Sequence, residues 1–285
     1  LNDINIDVLH SSLGGVITGL TRLQKNKRII FTEGDDDIAY LKAMNEAFKR
    51  VNSPSAIDFS KISFWYIRGK DNMNLKIMAN KQLLSQAVQG CKYAVIFDKD
   101  YSTEDTNTKF INSDILRRLG NSSWAHTHNG YCIESVLFSE MDKLKKFLNK
   151  ITGKDEETIN TFLDEYFYEL KQSLSNVQSN IYFNMKEKFK SQKKPTRPEL
   201  DNVEFDIYAR EAAQNIHYAM NKDNIRAFVL KIEEEWGITL FQREDDASET
   251  FASGLLNKYI DSIEAADDIY NDYVILFRKI RDFIV

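Results

Sequence analysis

Ile29-Ile30-Phe31-Thr32-Glu33-Gly34-Asp35-Asp36-Asp37 is an apolar, β-prone run that ends abruptly in carboxylates, and Tyr93-Ala94-Val95-Ile96-Phe97-Asp98-Lys99-Asp100 repeats the pattern later in the chain. A buried parallel strand reads this way, and ligands in open α/β sheets gather at the carboxyl ends of such strands. Glu33, Asp98 and Asp100, delivered to one sheet edge, form a set of hard oxygen ligands suited to Mg²⁺ or Mn²⁺. Metal-assisted phosphate chemistry is the expectation.

Around these two runs the chain alternates strand and helix signals. Arg28–Thr32 reads as a strand and Asp35–Val51 as a helix whose apolar stripe is Ala39, Leu41, Ala43, Met44, Ala47 and Phe48. The acidic triplet sits at that helix's N-terminus, where negative charge is favoured. Asn52-Ser53-Pro54-Ser55 ends it. Strand Lys61–Arg68, helix Met73–Val88 and strand Tyr93–Phe97 complete a βαβαβ order, the mark of a parallel sheet with right-handed crossovers. Asp105–Leu119 then reads as helix, Ser123–Thr127 as a fourth strand and Tyr131–Phe138 as an apolar segment holding Glu134. Past Leu144 strand signals nearly vanish: Phe147–Leu174, Val177–Phe189, Val203–Met220, Asn224–Trp236, Phe251–Ile263 and Ile269–Phe283 carry helical periodicity. The expected fold is α/β, a parallel sheet flanked by helices with a mainly helical C-terminal half. A catalytic unit over 1–150 and a helical unit over 151–285, for substrate binding, dimerisation or partner docking, follow from that change of character.

Composition agrees with a soluble globular chain. Of 285 residues, 42% are apolar and 28% charged, and the net charge is −5. That balance argues against a generally basic nucleic-acid coat, although acids gathered at a metal site depress the total. Three prolines and eleven glycines favour long helices over a turn-rich all-β fold. Cys91 and Cys132 are too few for a disulfide framework and read as buried, reduced thiols of a cytoplasmic protein. No stretch approaches the roughly 20 apolar residues of a membrane span. Leu1 is not an initiator methionine, so residues before it are expected.

Glu33-Gly34 at a strand end, with Asp37 three residues beyond the glycine, fits a strand–helix turn at a metal, and Gly34 leaves room for a phosphate. In Asp98-Lys99-Asp100, strand alternation would point both carboxylates to one side, where they share one or two cations. Lys70 and Lys99 are candidate phosphate contacts. His126 and His128 alternate along a strand and share a face near the acids, as an ordinary strand-end pair or as a proton-transfer pair. Lys186, Lys188, Lys190, Lys193, Lys194 and Arg197 form a basic run that reads equally as a solvated loop or as a track for a nucleic-acid backbone.

Together the two motifs resemble those of the Toprim fold, in which a glutamate follows the first strand and a D-x-D the third. Arg68-Gly69-Lys70-Asp71-Asn72 and Gly130-Tyr131-Cys132-Ile133-Glu134-Ser135-Val136-Leu137 are similar to elements of OLD-like Toprim nucleases that stand without a fused ATPase. That branch includes the toxin subunit of the PARIS anti-phage system, which works beside an ABC-type ATPase. The resemblance covers residues 25–140 and, loosely, Phe251-Ala252-Ser253-Gly254-Leu255-Leu256-Asn257-Lys258. Related proteins carry a lysine just after that glycine; here Leu255 stands in its place and Lys258 is the substitute phosphate contact. The resemblance implies Glu33 as metal ligand or general base, Asp98 and Asp100 as metal ligands, and Glu134 as an acid at a second cation. It implies a Mg²⁺-dependent endonuclease, acting on RNA (tRNA slightly favoured) or DNA, toxic when released and restrained by an ATPase partner. A homodimer is a further expectation. Two other readings compete: a haloacid-dehalogenase-like phosphatase using Asp98 and Asp100, with Asp245-Asp246 or Asp267-Asp268 as its downstream acids, and a degenerate Toprim scaffold kept for binding or sensing.

Overall fold

A computed structural model describes residues 24–67, 73–87, 89–120, 123–192 and 198–285. Strands β1 (Arg28–Thr32), β2 (Ser63–Tyr66), β3 (Lys92–Phe97) and β4 (Trp124–Thr127) lie in the order β2-β1-β3-β4. Every pairing is parallel, with Thr32 opposite Tyr66, Phe31 opposite Val95 and Phe97 opposite Thr127. Side chains alternate across this sheet with period two. Ile29, Phe31, Tyr93, Val95 and Phe97 pack on one face against Ile77 and Leu84 of α2 (Met73–Ala87) and against Ile115 and Leu119. Ile30, Ala94 and Ile96 face the other way, onto Leu41, Met44 and Phe48 of α1 (Asp35–Arg50). Helix α3 (Glu104–Lys109) passes into a π-helical stretch, Phe110–Leu116, and a last α-helical turn, Arg117–Leu119.

The sheet and its crossovers are those expected from the strand-then-acid pattern. Because α1 covers one face and α2 the other, the chain leaves β1 toward β2, then returns past it to β3, each crossover keeping the right-handed sense. Tyr131–Phe138 becomes a buried loop ending in a 3₁₀ turn, Glu134–Phe138. The helical half comprises α4 (Met141–Thr152), α5 (Glu156–Ser175), α6 (Asn180–Gln192), α7 (Pro198–Gln214), a single turn Ile216–Ala219, α8 (Lys222–Trp236), α9 (Ser248–Ser262) and α10 (Asn271–Ile284). The segment expected as one helix over Phe147–Leu174 is two. Gly153 caps α4 in the left-handed region at φ 69°, and Asp155 starts α5 by accepting the Thr158 N–H at 2.8 Å.

Among the described residues the last strand ends at Thr127, and the apolar core does not divide near residue 150. One buried cluster runs from Ile30 to Phe283 and takes in both halves. Helix α10 returns to the sheet: Phe277 packs on Phe48 with ring centroids 4.5 Å apart, and Phe283 stands edge-on to Trp124 at 5.8 Å. Among the described residues no helix is long and apolar enough to cross a membrane.

Candidate active site

The connection after β1 leaves toward β2 and the connection after β3 leaves toward β4, so the strand order reverses between these two neighbours. That crevice, at the carboxyl ends of the strands, is where open α/β sheets bind ligands. Glu33 follows β1 directly and Asp98 follows β3 directly, one on each lip. They are tied together, since the Asp98 N–H donates to Glu33 Oε1 at 2.9 Å. Asp98 Oδ1 accepts the Ile133 N–H at 3.1 Å, and the Asp100 N–H donates to the Tyr131 carbonyl at 2.8 Å. The loop after β4 is thereby stitched to the end of β3, which brings Glu134 to the same crevice. Asp37 turns back over the start of α1, its Oδ2 accepting the Gly34 N–H at 2.9 Å.

These side chains line a cleft of about 440 Å³ with Asp36, Tyr40, Lys222, Glu249, Thr250 and Ser253. Six carboxylates and one lysine face it. The electrostatic consequence is large. Burial, then the charges of Glu33, Asp37, Asp100 and Glu134, push the Asp98 carboxyl well above the ordinary carboxylate range. Asp37 is raised as well, by burial first, with Glu134 adding to it. Glu134 is 3% exposed, and its Oε2 has no hydrogen-bond partner. A buried, unsatisfied carboxylate oxygen aimed into a group of like charges is costly unless a cation completes it. Oxygen donors of this number and type fit Mg²⁺ or Mn²⁺.

Several expected residues sit differently. β3 ends at Phe97, so strand alternation does not align Asp98 with Asp100. Asp100 adopts φ 52°, a left-handed conformation uncommon outside glycine. It faces a second cleft of about 380 Å³ on the far side of Asp98, with Tyr101, Tyr131, Lys188, Lys222 and Glu249. Asp98 lines both clefts. Lys99 is not a phosphate contact: it is 2% exposed, ion-paired with Glu104, and its Nζ lies 3.4 Å from the centre of the Tyr218 ring. Lys258 points to solvent from α9; the lysine that reaches the cleft is Lys222, at the start of α8. Gly34 has φ −127°, which any residue adopts, so its value is the open space beside the cleft and not its backbone freedom.

Of the basic run, Lys188 reaches the second cleft and pairs with Asp223, Lys190 pairs with Glu187 at 2.9 Å, and Lys186 lies over the Tyr182 ring. Lys193, Lys194 and Arg197 lie outside the described residues, as does Lys70. Cys132 is buried and Cys91 half-buried, and neither is in a disulfide; burial, then Glu134 and Asp98, pushes the Cys132 thiol well up.

Lys222, Glu249, Thr250, Ser253 and Tyr40 went unseen in the sequence. The Asn221 side chain caps α8 by accepting the Asn224 N–H at 2.9 Å, which sets Lys222 in the first turn of a helix whose positive end faces the acids. Lys222 is held above its ordinary pKa: burial works against its charge, but Glu134, Cys132, Asp98 and Glu249 outweigh it. Tyr40, on α1, is pushed up to about 12 by burial and by Glu134.

Gly130 makes the loop after β4 what it is. A Cβ there would lie 3.0 Å from Ser135 Cβ and 3.1 Å from the Ser135 carbonyl carbon. Ser135 itself cannot yield, because its Oγ accepts from the Cys132 N–H at 2.6 Å and donates to the Cys132 carbonyl at 2.8 Å. Gly130→Ala is therefore expected to cost about 1–3 kcal/mol and to displace Glu134. Thermal denaturation checks it, and an unchanged melting temperature would contradict the tight approach.

One acid of each downstream pair that a phosphatase would need is engaged elsewhere. Asp245 accepts from the Ala247 N–H and the Thr250 hydroxyl, and Asp268 pairs with Lys146 and with Lys150. Compared with protein families, with curated proteins and with solved structures, the chain matches none.

Proposed function

We propose that this protein is a divalent-metal-dependent nuclease whose active centre is the crevice between β1 and β3. The observation that carries the reading is the set of six carboxylates and Lys222 around one cleft at the point where the strand order reverses. A phosphodiester is an anion and cannot enter such a cleft unless cations stand between it and the acids. Mg²⁺ or Mn²⁺ held by Glu33, Asp98 and Glu134, with Asp37 and Asp100 on either side, would polarise the phosphoryl oxygens and supply a water of lowered pKa. Glu33 accepts the Asp98 N–H on Oε1, which fixes the orientation of its carboxylate at the mouth of the crevice. Asp98, whose carboxyl is pushed well above the ordinary range in the crevice, would give up any proton it holds when a cation binds. Lys222 and the start of α8 offer positive charge to a phosphate lying across the two clefts.

The resemblance to OLD-like Toprim nucleases supports the same chemistry and adds the biological proposal: a toxic effector of anti-phage defence, restrained by an ABC-type ATPase, with RNA slightly favoured over DNA. Tyr168, Val177, Phe183 and Val203, all more than half exposed, are apolar side chains that the helical half offers to such a partner or to a second copy. The test is incubation of the purified chain with plasmid DNA, total tRNA and a generic phosphomonoester, in Mg²⁺ or in EDTA. Cleavage of a nucleic acid in Mg²⁺ alone is expected. Turnover of the phosphomonoester alone would favour the phosphatase reading, and turnover of nothing, with the ATPase and a phage trigger also supplied, would favour a binding scaffold.

A further inference from the structure

Behind the acid cleft, at the end of β4, a second group of ligand-type side chains closes on itself. His126 lies in β4, His128 just beyond it, and Asp272 in the first turn of α10; they are 5%, 3% and 8% exposed. His126 Nε2 stands 3.5 Å from Asp272 Oδ1, and His128 Nδ1 stands 3.3 Å from Asp272 Oδ2. One ligand atom from each residue falls within 4.8 Å of the others. We infer that His126, His128 and Asp272 form a transition-metal site of the Zn²⁺ class, separate from the carboxylate cleft.

Three observations carry it. The first is spacing: donors bound 2.0–2.1 Å from a tetrahedral ion lie about 3.3–3.4 Å apart, the two imidazole nitrogens stand 3.5 and 3.3 Å from the two oxygens of one carboxylate, and a swing of the rings from separations within 4.8 Å would complete the set. The second is a weakly satisfied buried polar atom: the His126 ring is almost wholly enclosed, and its Nε2 has Asp272 Oδ1 at 3.5 Å but no hydrogen bond of good geometry. The third is charge. Among the described residues no lysine or arginine is bonded to the buried Asp272 carboxylate; its partners are His126 and His128. Burial opposes its charge, yet those two histidines hold it well below the ordinary carboxylate range. Burial drives His126 below its ordinary pKa. The next titratable groups are Lys279, His217, Tyr273 and, toward His128, Asp37 of the carboxylate cleft. A divalent cation supplies the missing countercharge.

Donor chemistry separates this site from the other one. Two imidazoles and one carboxylate suit Zn²⁺, whereas an all-carboxylate cleft suits Mg²⁺. The role is to pin α10 to the end of β4, and through it the loop that carries Glu134: the Gly130 N–H donates to the His128 carbonyl at 2.9 Å, and the Tyr273 hydroxyl donates to the Ile133 carbonyl at 2.9 Å. Occupancy at one site would thus steady an acid of the other.

The experiment uses the whole chain, stripped with chelator and dialysed, then titrated with Zn²⁺ alone and with Co²⁺ as a spectroscopic probe, both in excess Mg²⁺. One equivalent of Zn²⁺ is expected to bind in the presence of Mg²⁺, and Co²⁺ is expected to show the intense visible absorption of a four-coordinate site with nitrogen ligands. The double variant Glu33→Gln/Asp98→Asn should bind Zn²⁺ as wild type does. His126→Gln and Asp272→Asn should each lose more than the roughly 10–100-fold in affinity that removal of an outer-shell partner costs. No Zn²⁺ uptake by the wild type, or uptake lost in the double variant and kept in Asp272→Asn, would overturn the assignment. Should the histidine and aspartate variants fail to fold, the wild-type Co²⁺ spectrum decides: octahedral-type, weak absorption rejects the site. None of these outcomes depends on whether the protein cuts nucleic acid.

Discussion

Asp98→Asn is expected to stabilise the metal-free protein while removing its activity. In the absence of a cation, Asp98 shares a buried crevice with Glu33, Asp37, Asp100 and Glu134, and its carboxyl is pushed well above the ordinary range by burial and by those charges. An asparagine there keeps the oxygen that accepts the Ile133 N–H and drops the charge. The expected gain is roughly 1 kcal/mol, or about 2–4 °C in melting temperature for a chain of this size. Cleavage should fall at least about 100-fold, since a direct ligand to the cation is worth more than an outer-shell partner. The pH dependence follows with a definite sign. A carboxyl whose folded pKa is raised contributes stability that is fully present below its unfolded value, near pH 4, and lost as the pH rises through the folded value. The metal-free wild type should therefore lose stability relative to Asp98→Asn as pH rises from 4 to neutrality. Mg²⁺ should reverse the order by stabilising the wild type alone. Melting curves of both proteins across that range, with and without Mg²⁺, check this; a variant less stable than wild type in EDTA at neutral pH would contradict it.

Lys222→Ala should do the opposite to the metal-free protein. Among the described residues Lys222 is the one basic side chain facing the first cleft, and its removal leaves six carboxylates without that balancing charge. Stability in EDTA should fall, and Mg²⁺ should restore most of it, because the cation takes over the neutralising role. Activity should fall by about 10²–10³-fold, the usual cost of losing a preorganised group that stabilises charge in the transition state. Lys222→Arg should keep the charge and recover part of the rate. Steady-state cleavage with a labelled oligonucleotide separates the effects on kcat and KM. A rate within about threefold of wild type in Lys222→Ala would remove this lysine from the site.

What could be read in advance was what lies close in sequence to a strand. Glu33 and Asp98 follow buried apolar runs directly, so the pattern that predicts the strands also predicts the acids. Glu134 was visible by its apolar surroundings. Lys222, Glu249 and Ser253 were not, because helical periodicity shows which face of a helix is buried and says nothing of where its N-terminus docks. Lys99 shows the limit of a local reading: nothing near it in sequence shows that the tertiary structure buries it against Glu104 and the Tyr218 ring. Lys258 failed for a related reason, since α9 presents Ser253 to the cleft, and Lys258 points to solvent instead. The His126–His128 pair was visible, but its partner Asp272 lies 144 residues from His128 and reaches it only because α10 folds back onto the sheet.

Mn²⁺ soaked into crystals of the wild-type chain, located by its anomalous scattering, would show whether the crevice between β1 and β3 holds the cation on which the proposed chemistry depends. A peak about 2.0–2.3 Å from carboxylate oxygens of Glu33 and Asp98, with Glu134 turned toward it and no such peak in Asp98→Asn crystals, is the expected result. An empty crevice at millimolar Mn²⁺, with the acids in the same positions as in EDTA, would contradict it.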